Sequence, residues 1–220
     1  MGSVFRRDKL DWSVYAIIDR EWLRDRAVRE VAEAVIRGGA GILQYRDKRS
    51  GSGDIFIAVR ALLEVTRRYS VPLIVNDRVD IAMAAGADGV HVGPDDLPVE
   101  RVRNLAGSKM IVGVSVQSER DFSEIRHADY LGAGAVFPTT THAAYPVSGP
   151  DLIRAVRSCT GKPVVGIGGI TLDNCAEVIR AGADGVALIS GILAADDPEE
   201  ATRRFKEAVV LSRKIPGKSH

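Results

Sequence analysis

The sequence predicts an α/β fold, a single (β/α)8 barrel of the TIM type in which eight parallel strands alternate with helices. Two observations predict it. Short apolar runs bounded by turn residues alternate with helical stretches along the whole chain. In addition, Gly86-Ala87-Asp88-Gly89-Val90 recurs 96 residues later as Gly182-Ala183-Asp184-Gly185-Val186, each time between an Ala-rich helix and a short apolar strand. With about 24 residues per βα unit, that offset spans four units and relates strand four to strand eight. A weaker copy, Ala128-Asp129-Tyr130-Leu131-Gly132, lies between them.

The strand candidates, in order, are Val14–Ile18, Gly41–Tyr45, Leu73–Val75, Gly89–Val92, Met110–Val114, Tyr130–Ala133, Val164–Ile167 and Gly185–Ile189. Helices are expected at Asp25–Arg37, Ile55–Tyr69, Val79–Ala85, Val99–Leu105, Glu119–His127, Pro150–Arg157, Leu172–Ala181 and Pro198–Lys214. Gly38, Gly86, Gly107 and Gly182 stand where those helices should stop. One domain over residues 1–220 is expected, and a doubly wound open sheet is the competing architecture.

Composition excludes several function classes. At 220 residues, 45% hydrophobic and a net charge of +1, the chain has ample core and no global basic signal for nucleic acid or a membrane surface. No apolar run approaches the roughly 20 residues of a membrane helix, and Arg6, Arg7 and Lys9 precede no secretory apolar stretch. A cytoplasmic location is expected. Cys159 and Cys175 fit no metal or redox spacing and should stay reduced.

In such a barrel chemistry belongs at the carboxyl ends of the strands, so the strand exits carry the functional reading. Strand three exits through Asn76 and Asp77, and strand four through Asp95 and Asp96. Acids converging from neighbouring strands suit Mg²⁺, a hard cation held by one or two carboxylates and by substrate phosphates. Taken singly, Asp77 reads equally well as a helix N-cap and Asp95-Asp96 as a turn. Strand two exits through Gln44, Tyr45, Arg46, Asp47 and Lys48; in period two Gln44, Arg46 and Lys48 share one face and form an anion clamp. A solvated charge run is the plainer alternative. Ser50 to Gly53 reads as a mobile loop able to close over a ligand.

Ser115 leaves strand five as an N-cap or a donor to ligand. After strand six comes a long irregular stretch with Thr139, Thr140, Thr141 and His142, either a functional lid or a surface turn. Gly168-Gly169 after strand seven and Ile189-Ser190 after strand eight form a common phosphate site in barrels. Two separate anion sites imply two small phosphorylated substrates and no macromolecular partner. No nucleophile with a partnered base is visible, so no covalent intermediate is expected.

The segments QYRDK (44–48), VNDRVD (75–80), GADGVHVGPDD (86–96), GVS (113–115), ADYLGAGAVFPTTT (128–141), VVGIGGI (164–170) and AGADGVALIS (181–190) together resemble the thiamine phosphate synthase family. They span nearly all of the chain in the family's order. The resemblance implies a phosphate-binding TIM barrel that joins hydroxymethylpyrimidine pyrophosphate to thiazole phosphate, releasing pyrophosphate by a dissociative, Mg²⁺-dependent displacement. It places Gln44, Arg46, Lys48, Asn76 and Ser115 on the pyrimidine pyrophosphate, Asp77 and Asp96 on Mg²⁺, and Thr139, Thr141, Gly169, Ile189 and Ser190 on the thiazole phosphate. Two other readings share these residues: a thiazole phosphate tautomerase needing only one phosphate site and a base such as His142 or His91, and a non-catalytic precursor sensor. Metal dependence separates the synthase from both.

The chain departs from the family at Pro94-Asp95, where Gln-Glu is usual, and at His142, where a lysine normally contacts the pyrophosphate. Lysine stays charged through the physiological range, whereas an ordinary histidine is mostly neutral at pH 7. His142→Lys is therefore expected to turn over faster above pH 7 and to lose a preference for lower pH. An unchanged rate and pH profile would count against a role for His142 at the pyrophosphate.

Overall fold

The computed structural model describes residues 5, 7–139 and 146–214. Eight parallel strands form a closed barrel in sequence order, with β1 (Val14–Asp19) pairing both β2 (Ile42–Arg46) and β8 (Gly185–Leu188). Between them run β3 (Leu73–Asn76), β4 (Gly89–Val92), β5 (Ile111–Val116), β6 (Tyr130–Ala133) and β7 (Val164–Ile167). Closure decides between the two predicted architectures, since a doubly wound sheet would leave two edges.

The outer layer is α1 (Val28–Arg37), α2 (Ser52–Tyr69), α3 (Val79–Ala85), α4 (Val99–Ala106), α5 (Gly149–Cys159), α6 (Cys175–Arg180), α7 (Ser190–Leu193) and α8 (Pro198–Lys214). Each longer helix turns an apolar stripe inward, as in α1, which buries Val31, Ala32, Val35 and Ile36. Three local expectations are corrected. The segment Glu119–His127 is a 3-10 helix rather than an α-helix. Its apolar residues Phe122 and Ile125 are three apart, the repeat of a 3-10 turn, and the Asp121 carboxylate accepts from the N–H groups of Gln117 and Ser118 at its entry. Ser50 to Gly53 is no free loop: Gly51 is the N-cap of α2, and Asp47 Oδ1 accepts from the N–H groups of Arg49 (3.0 Å) and Ser50 (2.9 Å). Thr171 to Asn174 precedes α6 as a turn closed by Asn174 Oδ1, which accepts from Thr171 N–H at 2.8 Å.

The internal echo has a physical job at the amino-terminal end of the barrel. Asp88, Asp129 and Asp184 each precede a strand and grip the start of the strand before it. Their carboxylates accept from the N–H groups of Leu73 (3.0 Å), Val112 (2.8 Å) and Val164 (2.8 Å). Their own N–H groups donate to the carbonyls of the same three residues. Arginines from the preceding helices hold two of these acids: Arg103 reaches Asp129 at 2.6 Å, and Arg157 pairs with Asp184. The repeat thus locks β3 to β4, β5 to β6 and β7 to β8 at the face opposite the strand exits, where residues serve stability.

Asp129→Ala leaves a strand N–H without its carboxylate acceptor and the Arg103 guanidinium, still bonded to backbone carbonyls, without its counter-charge. A loss of about 2–4 kcal/mol in urea unfolding is expected, from a partly buried charged partner removed from one side. Substrate KM values should hold within twofold, because the clamp lies at the far end from the strand exits; a KM change with no stability loss would contradict this assignment.

Candidate active site

A cavity opens at the carboxyl ends of the strands. Its walls collect residues from nearly every strand exit, and its chemistry divides into a charged side and a backbone side.

The charged side comes from β2, β3 and β4. Strand alternation carries Gln44, Arg46 and Lys48 to the cavity, while Tyr45 and Asp47, grouped with them in sequence, do not reach it. Tyr45 Oη instead donates to Asp47 Oδ2 at 3.1 Å, and both face the outer layer beside the β2 to α2 turn. Asp19, the last residue of β1, is only 2% exposed and stands in register with Arg46. Its carboxylate receives Arg46 Nη1 through Oδ2 and the Glu21 N–H through Oδ1 at 2.9 Å. One buried carboxylate therefore orients the guanidinium, and the rest of its donor fork is available to an anion. The sequence reading passed over Asp19, although an acid closing an apolar strand is the same signal that singled out Asp77.

Asp77 is not a helix cap. The N-cap of α3 is Arg78, which makes no side-chain capping bond, and the Asp77 carboxylate turns into the cavity. There it pairs with Lys48 and meets Asp96 within hydrogen-bonding reach. Asp96 in turn accepts from Gly93 N–H at 2.8 Å, so the turn after β4 aims it at Asp77. Burial, and then the neighbouring Asp96 carboxyl, push the Asp77 carboxyl up to about 6, against the opposing pull of Lys48. Asn76 completes this wall from the end of β3.

The backbone side comes from β6, β7 and β8. Thr139, Gly169, Ile189 and Ser190 line the cavity. Gly169 has a φ of +64°, and a Cβ there would lie 2.4 Å from the Pro138 carbonyl, so only glycine lets this turn pass the segment after β6. Phe137 N–H donates to the Gly168 carbonyl at 3.0 Å, joining the two exits. The short helix α7 opens at Ser190, just past the end of the neighbouring strand β8. Thr140, Thr141 and His142 lie outside the described residues.

Beneath the mouth, a chain of polar groups, buried at Gln44, Tyr15 and Tyr130 and half-buried at His91 and Ser115, crosses the barrel, and sequence reasoning missed most of it. Gln44 Nε2 donates to Tyr15 Oη at 2.8 Å, Tyr15 Oη and Tyr130 Oη lie 2.6 Å apart, and His91 Nδ1 lies 2.9 Å from Tyr130 Oη. His91 Nε2 then meets Ser115 Oγ at 3.0 Å. This corrects the expectation that no serine has a partnered base. Burial, however, pulls the imidazole down to about 4, and a phenol rather than a carboxylate faces Nδ1. A neutral histidine whose burial outweighs the opposing pull of the Asp96 charge is a poor base for activating Ser115.

Metal binding fits these residues in a limited way. Among the described residues no cluster of three or more His, Cys, Asp and Glu side chains gathers into a closed cage. Two oxygen donors, Asp77 and Asp96, do converge, and their crowding leaves negative charge that a divalent cation would relieve. Two carboxylates with the remaining positions left to phosphate oxygens is the donor set Mg²⁺ uses.

Comparison with known proteins supplies the family context. A family model described as "Thiamine monophosphate synthase" matches residues 14–192. The thiamine-phosphate synthase of Natronomonas pharaonis is 50% identical over 204 residues, covering 90% of this chain and 95% of that protein. That of Chloroflexus aurantiacus is 46% identical over 208 residues, covering 93% and 95%. Among solved structures, a thiamine phosphate pyrophosphorylase from Pyrococcus furiosus superposes with a TM-score of 0.84 at 36% identity, covering 94% of this chain and 98% of that one.

Because the folded Asp77 carboxyl titrates above its usual 3.8, it favours the fold only while neutral; that contribution is complete below 3.8 and is lost as pH rises through about 6. Asparagine mimics the neutral acid and tolerates the positive φ of 61° at this position. In chelator at pH 7.5, Asp77→Asn is expected to be more stable than wild type by about 1–3 kcal/mol, with the gain shrinking between pH 6 and 4. A variant less stable than wild type at pH 7.5 would show that the Lys48 pair outweighs the crowding.

Proposed function

The chain belongs to the thiamine monophosphate synthase family, and on that premise we propose how this thiamine-phosphate synthase uses its cavity. The single observation that carries the reading is the meeting of Arg46 and Lys48 with Asp77 and Asp96 on one wall, opposite the Gly169 and Ser190 backbone on the other. Two anion sites facing one another suit two phosphorylated substrates. In this reading Gln44, Arg46, Lys48, Asn76 and Ser115 hold hydroxymethylpyrimidine pyrophosphate. Thr139, Gly169, Ile189 and Ser190 hold thiazole phosphate, and the resemblance adds Thr140, Thr141 and His142 to the ligand-binding set.

Asp77 and Asp96 would hold Mg²⁺, which when bound neutralises charge on the pyrophosphate oxygens. Arg46, oriented by Asp19, and Lys48 supply fixed positive charge where the carbon–oxygen bond breaks and its electron pair passes to pyrophosphate. The thiazole ring nitrogen then donates its lone pair to the pyrimidine methylene cation, forming the new carbon–nitrogen bond. Nothing in this sequence needs an enzyme nucleophile, in keeping with the weak basicity of His91. The same burial disfavours His91 as the base of a tautomerase. The reading takes residues 1–220 as one barrel domain acting in the cytoplasm; no helix among the described residues is long and apolar enough to cross a membrane.

Pyrophosphate release with both substrates, with and without Mg²⁺, tests this reading. Metal-dependent release together with thiamine phosphate is expected from wild type, with a loss of at least about 100-fold in Asp77→Ala. No release under any condition, or release indifferent to metal and to Asp77, would contradict it.

A further inference from the structure

The polar chain from Gln44 to Ser115 joins residues of five strands, and neither its central tyrosines nor His91 takes part in the displacement derived above. Tyr15 and Tyr130 are fully buried, and their hydroxyls meet in the barrel interior. The sequence makes room for this: a Cβ at Gly113 would lie 2.1 Å from the Tyr130 ring, and Trp12 packs on the other side with ring centroids 4.8 Å apart. A phenol has one proton to give, so the direction of each bond fixes the next. Gln44 Nε2 donates to Tyr15, and the arrangement that gives each buried phenol proton an acceptor then has Tyr15 donating to Tyr130 and Tyr130 donating to His91 Nδ1. The imidazole proton is thereby placed on Nε2, where it donates to Ser115 Oγ.

The two ends of the chain both line the cavity. With Nε2 of Gln44 committed to Tyr15, its carbonyl oxygen serves the cavity as an acceptor. With Ser115 Oγ accepting from His91, its own hydroxyl proton serves as a donor. We infer that Tyr15, Tyr130 and His91 are positioning residues that set this polarity, so that the cavity selects an amino-substituted nitrogen heterocycle, whose amine donates to Gln44 and whose ring nitrogen accepts from Ser115. The inference rests on the reading of this wall as the pyrimidine pyrophosphate site and adds the origin of its selectivity. An oxo-substituted ring, which presents an acceptor in place of the amine and an N–H in place of the ring nitrogen, meets both ends with the wrong polarity. A site with built hydrogen-bond partners rejects such a mismatch strongly, since its buried groups are left unpaired.

The test measures kcat/KM for the aminopyrimidine pyrophosphate and for its oxo counterpart, with thiazole phosphate as co-substrate, in wild type, Tyr130→Phe and Tyr15→Phe. Thermal melts confirm that the variants fold. Wild type should prefer the amino compound by about 100-fold or more. Tyr130→Phe breaks the chain in the middle, freeing the imidazole to adopt its other tautomer. The preference should fall below about tenfold, and KM for the aminopyrimidine should rise about tenfold, while KM for thiazole phosphate stays within twofold. Tyr15→Phe, at the Gln44 end, should move the same ratio in the same direction. A preference unchanged in both folded variants, KM values rising equally for both substrates, or a wild-type preference for the oxo compound would each overturn the relay while leaving the synthase reading standing. Absence of turnover by wild type with any pair would remove the functional reading, and the relay with it.

Discussion

Closure of the parallel sheet is the constraint on which everything else depends. Because β8 pairs with β1 and all strands run the same way, every strand exit opens at one end, and residues far apart in sequence are forced into one cavity. Closure leaves no edge to protect, and it separates tasks by end. The amino-terminal end carries the Asp88, Asp129 and Asp184 clamps, which hold neighbouring strands in register. The carboxyl-terminal end is thereby free to hold groups that work against stability, such as the crowded carboxyls of Asp77 and Asp96.

That division explains how the charged wall persists. Arg46 is matched by the buried Asp19, and Lys48 by Asp77, so each cation that would grip an anion is already aimed by an internal carboxylate. In the proposed reading, such an arrangement would have the fixed charges in place before substrate arrives, as electrostatic catalysis requires. The polar chain below it extends the same logic from charge to hydrogen-bond direction. Its members are neutral and hydrogen-bonded, and its tyrosines are fully buried, so they order the cavity floor without adding charge to it.

Much of this was legible in the sequence. The eight apolar runs and the 96-residue echo predict the barrel, and most strand bounds fall within two residues of those observed. Period two put Gln44, Arg46 and Lys48 on one face, and all three line the cavity, whereas Tyr45 and Asp47, also expected among the substrate-binding residues, turn to the outer layer. What escaped has physical causes. Ser50 to Gly53 has the composition of a loop, but glycine is also a common N-cap, and the next residue begins α2. The echo was visible as a repeat, while its function lies in hydrogen bonds to the preceding strand. Tyr15 and Tyr130 read as core aromatics in apolar runs; their meeting joins residues 115 apart, a contact that no local pattern encodes. The family resemblance assigned roles to Thr140, Thr141 and His142, which lie outside the described residues.

The central claim is that the Asp77 and Asp96 wall forms a metal site completed by pyrophosphate. It is tested most directly by titrating Mn²⁺, as a paramagnetic stand-in for Mg²⁺, and following the free ion by electron paramagnetic resonance with and without inorganic pyrophosphate, correcting for the Mn²⁺–pyrophosphate complex in solution. Two protein carboxylates should bind the ion weakly alone, and pyrophosphate held by Arg46 and Lys48 should tighten its binding by about tenfold or more, an enhancement abolished in Asp77→Asn. Equal Mn²⁺ affinity with and without pyrophosphate, or an enhancement that survives Asp77→Asn, would contradict the account.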